Sequence, residues 1–225
     1  MALAAFDLDN TLLAGDSDYL WGRYLCELGV VDTQAYEREN LRFYEAYKQG
    51  ELDIHEFLAF QLNPLSRHPL ERLHAWREQF LTQRIDPIIL PAARTLIEKH
   101  KKAGDAVIII TATNRFITQP IAQRLGVTEL LATEAEFKDG RYTGKAAGIP
   151  CFRDGKVRRL RAWLRENGAS LQGSRFYSDS RNDLPLLEHV QHPIAVDPDE
   201  TLLNIARKRG WNVLTLREGD HPKAF

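Results

Sequence analysis

The chain has 225 residues, 44% of them hydrophobic and 27% charged, and its thirty basic and thirty-one acidic side chains leave a net charge of −1. Such a composition suits one sizeable globular core, or one core carrying a smaller inserted unit, and excludes collagen-like, low-complexity and extensively disordered chains. Balanced charge offers no overall positive field to gather a polyanion, so nucleic acid is not an expected partner.

Cys26 and Cys151 stand far apart, which indicates neither a disulfide framework nor a zinc site and fits a reducing cytosol. An aspartate at position 7 comes too soon for the apolar stretch of a signal peptide, and the longest apolar run, 106–110, is far below a membrane span. The expectation is a cytoplasmic protein without a membrane partner.

Residues 3–8 are apolar and lead into turn-prone Asp-Asn-Thr, as in a buried strand that stops at a loop. From about Asp18 to Arg84 the periods become helical and rich in aromatics, including Trp21, Tyr24, Phe43, Tyr44, Tyr47, Phe57, Phe60, Trp76 and Phe80, and this stretch reads as an all-helical unit. After Pro87 the pattern predicts a helix over 91–102, a strand over 106–110, a helix over 117–125 and a short strand near Leu130. Asp139-Gly140, set between alternating residues of 136–144, signals a hairpin. A helix from Lys156, a strand over 175–177, a helix from Leu184, a strand over 194–196, a helix from Glu200 and a strand over 212–216 complete the chain. Alternation of this kind predicts a doubly wound parallel α/β sheet. Its core is formed by 1–15 and 87–225, with a helical cap, 16–86, inserted after the first strand.

Ligands of open parallel sheets bind at the carboxyl ends of the strands. Asp7 and Asp9 are two apart, so on extended chain both carboxylates can face one pocket. Their repulsion calls for a cation or a shared proton, and magnesium, which takes one or two carboxylates with water and phosphate oxygens, meets that need. An isolated Asp-x-Asp also reads as a solvated strand end turning into Asn10-Thr11.

Thr111 ends the strand before it, where its hydroxyl and nearby backbone N–H groups could hold a phosphate oxygen. Lys156 opens a helix, where a cation opposes the helix dipole unless it serves another charge. Ser178-Asp179-Ser180-Arg181-Asn182-Asp183 follows a strand and sets two carboxylates four apart on a loop entering a helix, for which helix capping is the plainer role. Each feature has a bland alternative, but in this order the four assemble one pocket. The run 156–161 reads as an amphipathic helix with a solvated basic face. The seven histidines show no ligand spacing, and neither Gly144-Lys145 nor Gly155-Lys156 satisfies a nucleotide phosphate loop.

Taken together, Asp-x-Asp-x-Thr at 7–11, Thr111, Lys156 and Ser-Asp-Ser-x-Asn-Asp at 178–183 resemble, over nearly the whole chain, the four motifs of the haloacid dehalogenase superfamily of phosphatases. The helical insertion and the hairpin at 138–144 are similar to those of the branch that contains phosphoserine phosphatase. Ser178 departs from the usual Gly, a minor change if only backbone conformation is at stake.

The resemblance implies a Rossmann-type core and a Mg2+-dependent phosphomonoester hydrolase. It further implies that Asp7 attacks phosphorus to form an aspartyl-phosphate, while Asp9 protonates the leaving alcohol and then activates water. Thr111 and Lys156 would bind the transferring phosphoryl oxygens, with Asn182 near the phosphate. Asp7, the main-chain carbonyl of Asp9 and Asp179 would ligate magnesium, with Asp183 supporting them from outside the coordination sphere.

Asp16 lies seven residues after Asp9, where phosphoserine phosphatases carry a Glu for the substrate ammonium. Those enzymes also hold the substrate carboxylate with an Arg of the cap, but the similar stretch 50–60 contains none, and a serine carboxylate buried there would lack its partner. A small soluble phosphoester with an amine and a ring but no carboxylate suits an acidic, aromatic cap better. Histidinol phosphate has that character, and Phe-Asp-Leu-Asp-Asn-Thr-Leu-Leu-Ala-Gly-Asp-Ser-Asp with Thr-Ala-Thr-Asn-Arg at 111–115 looks like the histidinol-phosphatase-like group. Most cap aromatics are expected to be packing residues. The alternatives are a phosphatase for phosphoserine or another small metabolite, a phosphotransferase on the same core, and a non-catalytic metal- and phosphate-binding module. The last is disfavoured because nucleophile, acid/base residue and lysine are all present. Monomer or homodimer is the expected state.

Overall fold

The computed structural model describes residues 2–225. Its strands form one eight-stranded sheet in the order β4-β3-β2-β1-β5-β6-β7-β8. The strands are β1 (Leu3–Phe6), β2 (Ala106–Asn114), β3 (Glu129–Lys138), β4 (Arg141–Ala147), β5 (Arg175–Ser178), β6 (His192–Val196), β7 (Asn212–Thr215) and β8 (Lys223–Ala224). All neighbours from β3 to β7 pair in parallel, and only the edge pairs β3–β4 and β7–β8 are antiparallel. The first strand therefore lies inside the sheet, flanked by β2 and β5, which arrive more than a hundred residues later.

Strand β1 shows why two helical layers are needed. Its side chains alternate, so Ala4 and Phe6 enter the core on one face while Leu3 and Ala5 enter the core on the other. Helices α5 (Pro91–Lys102) and α6 (Arg115–Arg124) cover the first face through Leu96, Ile97, Ile117 and Ile121. Helices α7 (Asp154–Glu166), α8 (Leu184–Leu187) and α9 (Glu200–Arg209) cover the second through Leu160, Leu187 and Leu202. This is the doubly wound α/β sheet expected from the alternation of elements.

Between β1 and α5 lie α1 (Ser17–Glu27), α2 (Thr33–Gln49), α3 (Ile54–Ser66) and α4 (Leu70–Phe80), the last continued by a π turn over Leu81–Ile85 and a 3-10 turn over Asp86–Ile88. The chain leaves and re-enters the sheet side by side: Leu13 bridges Ile89, Ala14 N–H donates to the Ile88 carbonyl at 2.8 Å, and Leu90 N–H donates to Leu12. Trp21, Leu25, Leu62 and Phe80 of this insertion belong to the same continuous core as Phe6 and Ile109. A smaller apolar cluster of Phe43, Leu52 and Phe152 joins the insertion to the loop before α7.

Several boundaries differ from the sequence expectation, with a physical reason in each case. Strand β1 stops at Phe6, because Asn10 adopts a positive φ of 57° and Leu12 and Leu13 fold back on the Leu8 carbonyl. Strand β2 runs to Asn114, so Thr111 is inside it. Its regular ladder with β3 nevertheless holds only from Ile108 to Ile110 before the register slips, which leaves 111–113 at the carboxyl end of the regular pairing. Helix α6 begins at Arg115, capped by Asn114, and α7 begins at Asp154, so Lys156 sits within its first turn. No described helix is long and apolar enough to cross a membrane.

Candidate active site

The carboxyl ends of β1, β2 and β5 and the first turn of α7 meet beneath the helical insertion. Asp7 follows β1 and stays against β5 by donating its N–H to the Tyr177 carbonyl at 2.9 Å. Lys156 crosses the gap with Nζ 2.7 Å from Asp7 Oδ1 and 2.8 Å from Asp183 Oδ2, all three groups being buried. The cation at a helix start thus serves two carboxylates. Burial works against the charge of Lys156, but Asp183 and Asp7 outweigh it and leave the ammonium pKa above the ordinary lysine value. Burial raises Asp7 to about 7 against the lowering pull of Lys156.

Asp9 points elsewhere. Its Oδ1 accepts the Ser17 N–H at 2.7 Å and its Oδ2 accepts the Thr113 hydroxyl at 2.8 Å. These donors fix the carboxyl at the start of α1 while burial, with Asp16 adding to it, lifts its pKa to about 6. A carboxyl poised between proton donor and acceptor is what acid/base work at neutral pH requires.

Asp179, after β5, shares Thr11 with Asp7: the Thr11 hydroxyl lies 3.1 Å from Asp179 Oδ1 and 3.5 Å from Asp7 Oδ2, and the Asp179 N–H donates to Thr11 Oγ1. Burial, then repulsion from Asp7 and Asp183, pushes the Asp179 carboxyl well above its usual range, and no Lys, Arg or His among the described residues pairs with it. No group of three or more His, Cys, Asp and Glu side chains among the described residues is placed to chelate a metal. Magnesium asks for less, one or two carboxylates completed by water and phosphate, and the Asp7–Asp179 pair, of which Asp179 has no cationic partner, fits it.

Ser178, in place of glycine, changes more than backbone freedom. Its hydroxyl donates to Asp183 Oδ2 at 2.7 Å and accepts the Ser180 N–H, so it locks the carboxylate that braces Lys156. Asn182 lines the same cavity as Asp7 and Lys156, but its side chain is committed to a bridge. Nδ2 donates to the Tyr47 carbonyl at the end of α2, and Oδ1 accepts from the Arg153 guanidinium, which also donates to the Gly50 carbonyl. The Tyr47 hydroxyl adds a contact to Ser180 Oγ at 3.1 Å.

The cavity between sheet and insertion has about 640 Å³ of space not filled by protein atoms. Asp7, Asp9, Thr111 and Lys156 line its sheet end, and Asp16 and Asp18 line it from α1. Asp16 also caps α1, with Oδ1 accepting the Tyr19 N–H at 2.8 Å. Tyr19, Phe43, Tyr44, Tyr47, Phe57 and Phe152 supply its rings, whereas Trp21 and Phe80 pack edge to face in the core, 5.2 Å between centroids.

Thr113, Asp18 and Arg153 were missed as candidates. The signal for Thr113 was available, since Thr111 and Thr113 are two apart on a strand and share a face. Asp18 stood in the Asp-Ser-Asp run. The Arg153 bridge joins residues 103 and 29 positions away, which no local pattern reveals.

A sequence profile of haloacid dehalogenase-like hydrolases matches residues 4–188. The chain belongs to this family. It is 45% identical over 219 residues to a histidinol-phosphatase of Neisseria meningitidis, covering 96% of this chain and 99% of that one. It is 33% identical to a phosphoserine phosphatase of Mycobacterium tuberculosis, covering 96% of this chain and 71% of the relative. A crystal structure of a Bordetella pertussis Tohama I protein of unknown function superposes with a TM-score of 0.90 at 45% identity, covering 96% and 98% of the two chains. A substrate-bound phosphoserine phosphatase shares the fold at a TM-score of 0.71 and 19% identity, over 97% and 94%. Within the family, the chain is a phosphatase.

Proposed function

We propose that the protein hydrolyses histidinol phosphate, or a phosphomonoester of the same amine-and-ring character, through an aspartyl-phosphate on Asp7, beneath residues 16–86 acting as a cap. The observation that carries the reading is the charge of the cavity. Of the side chains lining it, five are carboxylates, and its one amine, Lys156, is already engaged by Asp7 and Asp183. A substrate carboxylate would find no free cation there, and a buried unpaired charge costs several kcal/mol, on the order of the 3–5 kcal/mol seen when a buried pair is broken. An ammonium group finds Asp16. The histidinol-phosphatase of Neisseria meningitidis, matched over 99% of its length, supports the same choice.

In the first half-reaction a carboxylate oxygen of Asp7 bonds to phosphorus as the ester P–O bond breaks, and Asp9 gives its proton to the departing alkoxide oxygen. In the second, Asp9 takes a proton from water, whose oxygen bonds to phosphorus as the acyl-phosphate P–O bond breaks, freeing inorganic phosphate and Asp7. Ser17 N–H and Thr113 keep Asp9 directed at the alcohol, and Lys156 and Thr111 offset phosphoryl charge. Magnesium, held by Asp7 and Asp179 with the Asp9 carbonyl, would supply the remaining positive charge.

The test is kcat/KM with magnesium for histidinol phosphate, phosphoserine and small sugar phosphates. Histidinol phosphate is expected to lead. A clear lead for phosphoserine would contradict the charge argument.

A further inference from the structure

The cavity contains a second carboxylate on α1 that neither half-reaction uses. Asp18 is only 5% exposed, yet it lines the cavity. Asn114 Nδ2 donates to its Oδ1 at 3.3 Å, and the Thr113 hydroxyl, already bonded to Asp9, is its other polar neighbour. No described Lys, Arg or His pairs with Asp18, Asp16 or Asp9. Burial, with Asp16 and Asp9 close by, disfavours its charge strongly. The helix start gives a carboxylate some support, but an Asn would serve there without burying a charge.

The surroundings hold Asp18 in place rather than satisfy it. Its main-chain carbonyl accepts from Gln61 Nε2 at 3.2 Å, and Gln61 Oε1 accepts the Tyr36 hydroxyl at 3.0 Å, so the amide is used at both ends. Phe57 and Phe43 stand in the same cavity, touching edge to face at 5.4 Å. A carboxylate without a cationic partner, in one cavity with apolar rings, suits a flat group with apolar faces and an N–H edge. Asp16, as the cap of α1, is the separate carboxylate for a primary amine.

We infer that Asp18 is a specificity residue that accepts a hydrogen bond from a second nitrogen of the substrate, so that the cavity selects phosphate esters of amino alcohols bearing a further N–H group on a ring. The inference rests on the function proposed above and goes beyond it by assigning the ring nitrogen to one side chain. The imidazole of histidinol phosphate has this chemistry; the phenyl of phenylalaninol phosphate has the same amine and ester but no ring nitrogen.

The test compares the full-length protein with its Asp18→Asn variant, with magnesium, on these two esters and on phosphoserine. The expected result is a loss of about 10- to 100-fold in kcat/KM on histidinol phosphate, mostly through KM, as when a buried hydrogen-bonding group is left unsatisfied. The value for phenylalaninol phosphate should be unchanged within error, and the melting temperature no lower than that of the wild type. Equal losses on both esters, no loss on either, or a collapsed melt in Asp18→Asn would each show a structural role and overturn the inference alone. A wild-type enzyme preferring phosphoserine would overturn the proposed function and the inference with it.

Discussion

At the scale of single residues the site is governed by how few charges are compensated. Lys156 is the one buried cation among the reactive carboxylates, held at 2.7 and 2.8 Å by Asp7 and Asp183. Lys156→Met should therefore do two things: leave two like charges buried together, and remove the positive charge that accompanies phosphoryl transfer. Turnover is expected to fall by at least about 10³-fold, and urea unfolding to show a loss of about 3 kcal/mol or more near neutral pH. Asp7→Asn should abolish turnover while preserving the fold, because the amide keeps the shape and relieves repulsion from Asp183; substantial metal-dependent activity in that variant would remove Asp7 from the mechanism. Asp7, Asp9, Thr111, Lys156 and Asp183 were legible in the sequence because each sits at a strand end or helix start, where local pattern and topology coincide. Ser178 was legible as a departure, but its bond to Asp183 depends on side-chain rotamers that no spacing encodes.

Elements place these residues through a few tight joints. Helix α7 starts after Arg153, which has a positive φ of 48°, and its second residue, Gly155, lies so close to Pro150 that a Cβ would overlap the Pro150 carbonyl oxygen. Gly155→Ala should thus shift the first turn that carries Lys156, lowering stability by about 1–3 kcal/mol and activity with it; unfolding and turnover measured together would show the coupling. The bridge from Tyr47 and Gly50 through Asn182 and Arg153 is one polar joint between insertion and sheet. Asn182→Ala would remove the side-chain donor to the Tyr47 carbonyl and one of the two acceptors of the Arg153 guanidinium, leaving only the Gly50 contact across the joint, and is expected to reduce kcat/KM by roughly tenfold. An unchanged value would mean that the joint does not govern access to the cavity. The helix over Pro91–Lys102 and the hairpin turning at Asp139-Gly140 were legible, since proline at a helix start and Asp-Gly in a turn act within a few residues. The starts of α6 and α7 were legible only to within two residues: Asn114 caps α6 through the Ile117 N–H, a local signal that went unread, and the positive φ of Arg153 has no local signature.

The whole molecule combines a chain of nearly balanced charge with one strongly acidic cavity. Burial raises Asp7 to about 7 and Asp9 to about 6, and it also raises Asp16, Asp18 and Asp179. Between the unfolded carboxylate value near 4 and these folded values, the folded state holds protons that the unfolded state has lost. Stability of the metal-free protein should therefore fall as pH rises from about 4 to about 7. Magnesium should offset part of that fall near neutrality, by binding the folded form. Melting temperatures measured across this range with and without the metal would check both signs; a metal-free protein that grew steadily more stable toward pH 7 would contradict the raised carboxyls.

The central claim is that the phosphoryl group passes through a carboxylate of the protein, and the stereochemical course at phosphorus tests it most directly. Transfer to Asp7 and then to water is two displacements, so an isotopically chiral phosphorothioate ester hydrolysed by the wild-type enzyme should give overall retention of configuration. Inversion would mean direct attack by water, and would contradict a covalent role for Asp7.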